Sequence, residues 1–398
     1  MTDTERHAWL QLALTPYIGA ESFATLLAHY GSANEALCAP AQVITQLGRH
    51  GKQAAATWSD TTQAQNAADA ALKWENETTG ARLMLACDAD FPNILREGIT
   101  PPPLLFLRGN TELLQRPAVA IVGSRHATPQ AIRIAHDFGR ALSENGITVV
   151  SGMAAGIDTA AHQGALSGSG STITIWGTGI NRVYPPSNRD LAHRLAEQGL
   201  IVSEFPLDTR PLAGNFPRRN RLIAAQSHAV LVVEAALESG SLITARLAAE
   251  MGREVMAVPG SIDNPHSKGC HKLIKEGAKL VECLDDIISE CLSLQNLSGS
   301  PKPINKLPEK HNNHKQSTNL STTPTQPTPQ QTIQPNPAML PEKTKHTLLQ
   351  AMGYDPIHPD NLAQNLCLPA ADIYAMLLEC ELDGQVAALS GGRYQRIK

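Results

Sequence analysis

Arg218, Arg219 and Arg221 crowd into one short stretch, GNFPRRNRLIAAQS (214–227), just after Pro217 and just before an apolar run of helical character. Proline favours the first turn of a helix, where unpaired N–H groups already present a partial positive charge. Cations are misplaced there, and each costs roughly 0.3–1 kcal/mol at low salt unless an anion lies opposite. Ion pairs with Glu204 and Asp208 upstream would remove part of the penalty but leave cations in surplus; an external anion would remove all of it. Phe216, directly before the arginines, is either a core residue or a flat surface on which an unpaired base stacks.

Four turns of small residues accompany the arginines. Gly123-Ser124-Arg125 follows AVAIV, and Ser151-Gly152-Met153-Ala154-Ala155-Gly156-Ile157-Asp158 follows ITVV. Gly177-Thr178-Gly179 follows STITIW, and ESGSLITA supplies Ser239, Gly240, Ser241 and Thr244. Small residues let backbone N–H groups approach an anion closely, and each turn opens a helix whose N-terminus favours negative charge. One such turn is an ordinary tight connection; four on one edge, with Arg125 and the 218–221 arginines, make an anion site. No GxxxxGK[ST] is present, and no GxGxxG opens the first unit with an acid about twenty residues on, which argues against a nucleotide cofactor. Many cations and few acids in these loops suit a longer polyanion, so no cofactor and no metal is assigned.

The elements that must position these residues follow from the apolar runs AVAIVG, ITVVSG, STITIWG, LIVSEF, AVLVVEA and EVMAVPG, each leading into a helical stretch. Continuous β-branched runs of this kind belong to a parallel sheet covered on both faces, and ligands of such sheets bind beyond the carboxyl ends of the strands. The expected fold is α/β, a Rossmann-like doubly wound, mostly parallel sheet. Ahead of it, helices in which Leu26, Leu27, Tyr30 and Leu37 share an apolar face form a small module. Its Ile18-Gly19 turn resembles SAM and helix-hairpin-helix domains. The segment 293–338, rich in Pro, Thr, Gln and Asn, cannot offset its ordering entropy by burial and reads as a flexible linker. Three helical stretches and QVAALSGGRYQRI, two strands about a Gly-Gly turn, outline a C-terminal winged helix. The domain boundaries expected are 1–80, 81–292, 293–338 and 339–398.

At 398 residues the chain exceeds one ordinary core, and its net charge of −4 confines any nucleic-acid surface to a local patch. Seven cysteines without a CxxC pair argue for a reducing compartment, and Cys270-His271 lacks a second pair of metal ligands. The start, MTDTERHAWLQLAL, has neither a signal-peptide pattern nor a membrane span, so a cytoplasmic location is expected.

The blocks AIVGSR, SGMAAGIDTAAHQGAL, GTGINRVYPPSNRDL, SEFPLDTRPLAGNFPRRNRLIAAQS, VVEAALESGSLITARLA and GREVMAVPGSIDNPHSKGCHKLIKEGA closely resemble the successive signatures of the DprA (Smf) family of bacterial DNA-processing proteins. The resemblance covers the sheet domain almost end to end, and the front module and tail fit the family's longer members. It implies a dimeric protein that binds and protects single-stranded DNA and promotes RecA loading during natural transformation; no enzymatic activity and no membrane segment are expected. Carried onto this sequence, it points to Arg125 of the GSR turn, Phe216 with Arg219, Asn220 and Arg221, Ser239, Gly240 and Ser241, and Lys268; with Gly123, Ser124, Gly152, Gly156 and Arg218 of the anion-site reading, these make up the expected DNA site. Two rivals remain. The sheet also resembles nucleoside-monophosphate phosphoribohydrolases, whose PGGxGTxxE stretch is not supplied here and for which Glu204 is the spare acid. A duplex-reading winged helix is the other, but its third helix, PAADIYAMLLECELDG, carries Asp372, Glu379, Glu381 and Asp383 and no Lys or Arg.

Overall fold

The computed structural model describes residues 1–291, Leu294, 342–389 and 391–397. Six helices build the front of the chain: α1 (Asp3–Ala13), α2 (Ala20–Tyr30), α3 (Ala33–Ala36), α4 (Ala41–Thr45), α5 (Gly51–Thr57) and α6 (Thr62–Glu77). Trp9, Leu12, Phe23, Leu26 and Ile44 are buried at their centre, and Leu27, Tyr30 and Leu37 pack against them as the apolar periodicity expects. The module does not stand apart. Its core is continuous with Leu83, Phe106 and Leu195 of the sheet domain, and the Trp9 indole donates to Pro103 O at 2.8 Å.

Nine strands form one sheet: β1 (Ala81–Leu85), β2 (Leu104–Gly109), β3 (Ala118–Val122), β4 (Thr148–Ser151), β5 (Thr172–Trp176), β6 (Leu200–Ser203), β7 (Ala229–Val232), β8 (Glu254–Ala257) and β9 (Lys279–Leu280). Their order is β1-β2-β6-β5-β4-β3-β7-β8-β9. From β6 through β9 the strands are parallel, whereas β2 runs antiparallel to β6 and β1 antiparallel to β2. The six parallel strands expected from apolar runs are present. The β1–β2 extension was not read from the sequence, and it is this pair that carries the front module.

Side chains alternate between the faces. Val119, Ile121, Val149 and Leu231 pack with α7 (Pro129–Glu144), α8 (Ile157–Ala165) and α13 (Leu284–Glu290). Ala120, Val122, Val150 and Val230 pack with α10 (Asn215–Ala225), α11 (Ser241–Glu250) and α12 (Lys268–Lys275), while α9 (Arg189–Gln198) closes the side nearer the front module. Leu294 is fully buried in the same cluster as Ile287 and Cys291, so this residue, placed in the linker by composition, belongs to the sheet's packing. The rest of the expected linker lies outside the described residues.

The chain runs β3-β4-β5-β6 in one direction and then places β7 on the other side of β3. Loops that leave the strands on either side of such a reversal open a crevice at the carboxyl edge. The tail comprises α14 (Glu342–Met352), α15 (Pro359–Leu366) and α16 (Ala370–Leu382), followed by the antiparallel hairpin β10 (Val386–Leu389) and β11 (Arg393–Arg396). Leu348, Leu362, Ile373, Met376 and Leu377 form its core, giving the winged-helix outline expected. Among the described residues no helix is long and apolar enough to cross a membrane.

Candidate nucleic-acid interface

α10 begins at Asn215, so Pro217 is its third residue and not its first. The first turn carries no acid, and the three arginines escape their electrostatic penalty in three different ways. Arg219 points inward and is 4% exposed. Its guanidinium donates to Gly152 O at 2.5 Å and to Ile175 O, at the ends of β4 and β5, and its Nε donates to Asn220 Oδ1 at 3.1 Å. A Cβ at 152 would strike that guanidinium, so any larger residue there would have to displace Arg219 from its two carbonyls. Burial pulls the Arg219 pKa down to about 10, against the pull of Asp158, so the group stays charged at neutral pH.

Asp158 accepts from the N–H groups of Gly152 and Ala154 at 3.0 and 3.3 Å and thereby shapes the turn after β4. Burial raises its pKa, opposed by Arg219. His162, behind it, pairs through Nδ1 with Thr172 Oγ1 at 2.8 Å. Burial, with Arg219 adding to it, holds its pKa down at about 3.

Above this layer lies a cavity of about 90 Å³ lined by Arg125, Ala154, Trp176, Tyr184, Phe216 and Arg219 among others. The Arg125 guanidinium sits 5.3 Å over the Phe216 ring, and Tyr184 meets the same ring at 5.6 Å with planes inclined by 40°. Gly177 leaves room for that ring, since a Cβ would come within 3.0 Å of it. The result is an open pocket with one exposed guanidinium, two aromatic faces and a buried cationic floor.

Arg218 and Arg221 leave α10 on its other side. Arg218 is exposed and lies 5.2 Å over Phe205. Arg221 is paired with Glu204, whose side chain is 7% exposed. The ion-pair reading therefore holds for Arg221 with Glu204, while Asp208 instead meets Asn181 at 3.0 Å. Because Oε2 of Glu204 is spent on Arg221, the spare acid of the phosphoribohydrolase reading is engaged in structure.

The remaining residues of the expected site spread along the same edge. Gly123 and Ser124 join the β3 turn to the β7 turn through Ser124 N donating to Glu234 O at 2.8 Å, and Gly156 caps α8. The Glu234 carboxylate accepts from Thr128 N and Oγ1 at 3.1 and 2.7 Å, and its pKa is raised by burial. Ser239, Gly240 and Ser241 open α11 after β7, with the two hydroxyls 2.7 Å apart. Lys268 begins α12 after β8, exposed, its Nζ donating to Ile262 O. Gly123, Ser124 and Gly156 adjoin the pocket residue Arg125 without lining the pocket themselves, whereas Ser239 to Ser241 after β7 and Lys268 after β8 stand three and four strands from β5, at about 4.8 Å per strand roughly 14 and 19 Å away, and are not brought into it. Trp176 and Tyr184 were missed; an aromatic in the loop after a strand's carboxyl end, as in VYPPSN, was the available signal. Among the described residues no cluster of three or more metal-ligating side chains occurs. Cys270 is buried, its thiol pushed up to about 12 by burial, and His271 pairs with Gly260 O.

Residues 82–292 match the family model described as DNA recombination-mediator protein A, residues 324–392 that of the DprA winged helix domain, and residues 3–70 that of the DprA-like N-terminal HHH domain. The chain is 37% identical over 328 residues to Protein Smf of Synechocystis, covering 81% of this chain and 82% of that protein. It is 40% identical over 317 residues to Protein Smf of Escherichia coli K12, covering 79% and 77%. The X-ray structure of DNA processing protein A from Streptococcus pneumoniae aligns with a TM-score of 0.62 at 35% identity, over 73% of this chain and 98% of that one.

Proposed function

The chain belongs to the DNA recombination-mediator protein A family, the DprA/Smf proteins, and from that premise we propose that it binds single-stranded DNA at the carboxyl edge of its sheet. The observation that carries this reading is the pocket in which Arg125 overlies Phe216 beside Tyr184. A base stacks on an aromatic face whatever its identity, and a guanidinium beside it meets the backbone charge. The buried Arg219 ties the β4 turn to the end of β5, and Asp158 shapes the β4 turn, so that together they frame the floor of the pocket. The further roles rest on the family resemblance: a homodimer that shields incoming DNA in the cytoplasm and loads RecA onto it during transformation and recombination. We read the protein as a binding protein without catalytic chemistry, its winged helix tethered to the sheet domain by the segment that follows Leu294.

Titrating a labelled oligo-dT and the matching duplex over a salt series tests the reading. Single-strand affinity should exceed duplex affinity, and its logarithm should fall against log salt by about 0.7 for each phosphate neutralised. A salt-independent affinity or a preference for duplex would overturn it.

A further inference from the structure

A second cavity lies on the far side of α10. It is a groove of about 300 Å³ between the turn that joins α1 to α2 and the start of α10, lined by Tyr17, Glu204, Phe205, Arg218 and Arg221 among others. At 3.6 residues per turn, Phe216 and Arg218 project about 200° apart, so one helix start serves the pocket with the first and the groove with the second. The two openings are then separated by about one helix diameter, about 10 Å.

The groove repeats the pocket's chemistry. Arg218 stands over Phe205 at 5.2 Å as Arg125 stands over Phe216 at 5.3 Å. Tyr17 is 56% exposed and has φ +66°, a region that residues other than glycine seldom adopt, so the turn rather than burial holds its ring at the rim. His50 lies 6.3 Å from that ring, and Arg49 and Lys52 on either side of His50 are exposed. Residues 36–59 contain no Asp or Glu. Among the described residues Arg49, Lys52 and Arg218 form no ion pair within 4 Å, whereas the Arg221 charge is cancelled by Glu204.

We infer that this groove is a second binding segment for the strand that occupies the pocket. The strand crosses the start of α10, lays a base against Tyr17, and sets its phosphates against Arg218 and the Arg49–Lys52 patch. The inference rests on the single-strand reading of the pocket, and oligonucleotide length separates the two. At about 3.4 Å or more per nucleotide, a dinucleotide is too short to pass from the pocket to the groove about 10 Å away and fills the pocket alone, whereas an oligonucleotide of about twenty-five reaches both. In the full chain, the double variant Arg49→Ala/Lys52→Ala and the single variant Tyr17→Ala should each bind the long oligo-dT about tenfold more weakly and the short one as the unaltered protein does. The salt slope for the long oligonucleotide should fall by about 0.7 per lost phosphate contact. Iododeoxyuridine placed along the long strand should cross-link to Tyr17. Unchanged affinity for the long oligonucleotide, or equal loss for both lengths, would overturn the inference. If Tyr17→Ala fails to fold, the Arg49/Lys52 variant and the cross-link decide the question alone. Failure of the pocket reading looks different: Arg125→Ala would then leave both lengths unaffected.

Discussion

The helices α10 and α16 treat their own charge in opposite ways. α16 carries only acids, with Asp372 in its first turn, where the dipole favours it, Glu379 and Glu381 in its last turn, where it does not, and no Lys or Arg anywhere, although Lys345 of α14 pairs with Glu379 at 2.8 Å. It displays Tyr374, Leu378 and Leu382 to solvent, a surface with nothing to offer a phosphate. α10 defies the dipole, with no acid in its first turn and with arginines as its fourth, fifth and seventh residues. The comparison teaches that a cation count overstates what is available. Arg219 is spent on main-chain carbonyls and Arg221 on Glu204, so of the three only Arg218 keeps its charge for a ligand. A violated local rule marks the functional end of the molecule, but most of the violation is repaired from within.

The largest expected effect tests that repair. Arg219→Leu leaves Gly152 O and Ile175 O without a donor and Asp158 without its nearest compensating charge. Unpaired buried acceptors cost about 1–3 kcal/mol each, and stripping one partner from a buried charge cluster about 3–5 kcal/mol. Urea unfolding should register a loss of about 3–5 kcal/mol, with DNA binding lost as a consequence. Arg221→Ala sits lower on the same scale. A dipole argument alone expects relief of repulsion, yet the pair with Glu204 reverses the sign, and about 1.5–3 kcal/mol should be lost. A gain in stability in either variant would break the distinction between repaired and available cations.

Acid should act on the same buried layer. The folded pKa of His162 is about 3 against an ordinary 6.5, so the fold accepts only the neutral ring. This contribution is fully present above pH 6.5 and is lost as pH falls from 6.5 toward 3, at about 1.4 kcal/mol per unit. Between pH 7 and 5 unfolding free energy should drop by about 2 kcal/mol, and a His162→Gln variant should lack that slope. An identical slope in the variant would remove His162 from the account.

A smaller effect belongs to the pocket proper. Arg125 is exposed, and Phe216 lies at the pocket wall, so Arg125→Ala and Phe216→Ala should weaken single-strand binding about tenfold each, about 1.4 kcal/mol. Neither should move the unfolding midpoint as Arg219→Leu does. Because the guanidinium overlies the ring at 5.3 Å, the double variant should lose less than the sum of the singles by about 0.5–1 kcal/mol. Strict additivity would mean that the two side chains act on different parts of the strand.

Much of this was legible in the sequence, for a physical reason. A strand buried on both faces writes itself as a continuous apolar run, and β3 to β8 were therefore readable. β1 and β2 lie at the antiparallel end, where ARLML and LLFLRG carry arginines and lack the glycine-rich turn that marks a ligand edge. Arg125, Gly152 and Phe216 could be placed at one edge because each follows a strand or opens a helix. The fate of Arg219 could not, since it turns on the absent Cβ of Gly152, 67 positions away. Tyr184 was missed because the loop it occupies has no periodicity, and only the folded chain brings it 5.6 Å from Phe216.

The smallest expected effect concerns the tail and sharpens the comparison most. If α16 offers nothing to DNA, removing residues after about 298 should leave single-strand affinity within a few-fold of the full chain. The cut must spare Leu294. Its side chain is fully buried beside Ile287 and Cys291, and a cut after 292 should cost about 1.5–3 kcal/mol of stability that has nothing to do with the winged helix. Only the wing argues the other way, and less strongly than its sequence suggests. Arg396 lies 4.9 Å over Tyr354 and donates to Leu349 O at 3.1 Å, Lys398 is outside the described residues, and Arg393 is exposed. One arginine on a hairpin supplies a single phosphate contact, which changes a salt slope by about 0.7 and an affinity by a small factor. A hundredfold loss on truncation after 298, near 2.7 kcal/mol, with the unfolding midpoint of the sheet domain unchanged, would require the wing to grip the strand through more than Arg393. The opposition between a cationic α10 and an acidic α16 would then no longer divide the molecule into a DNA-binding edge and a tethered module.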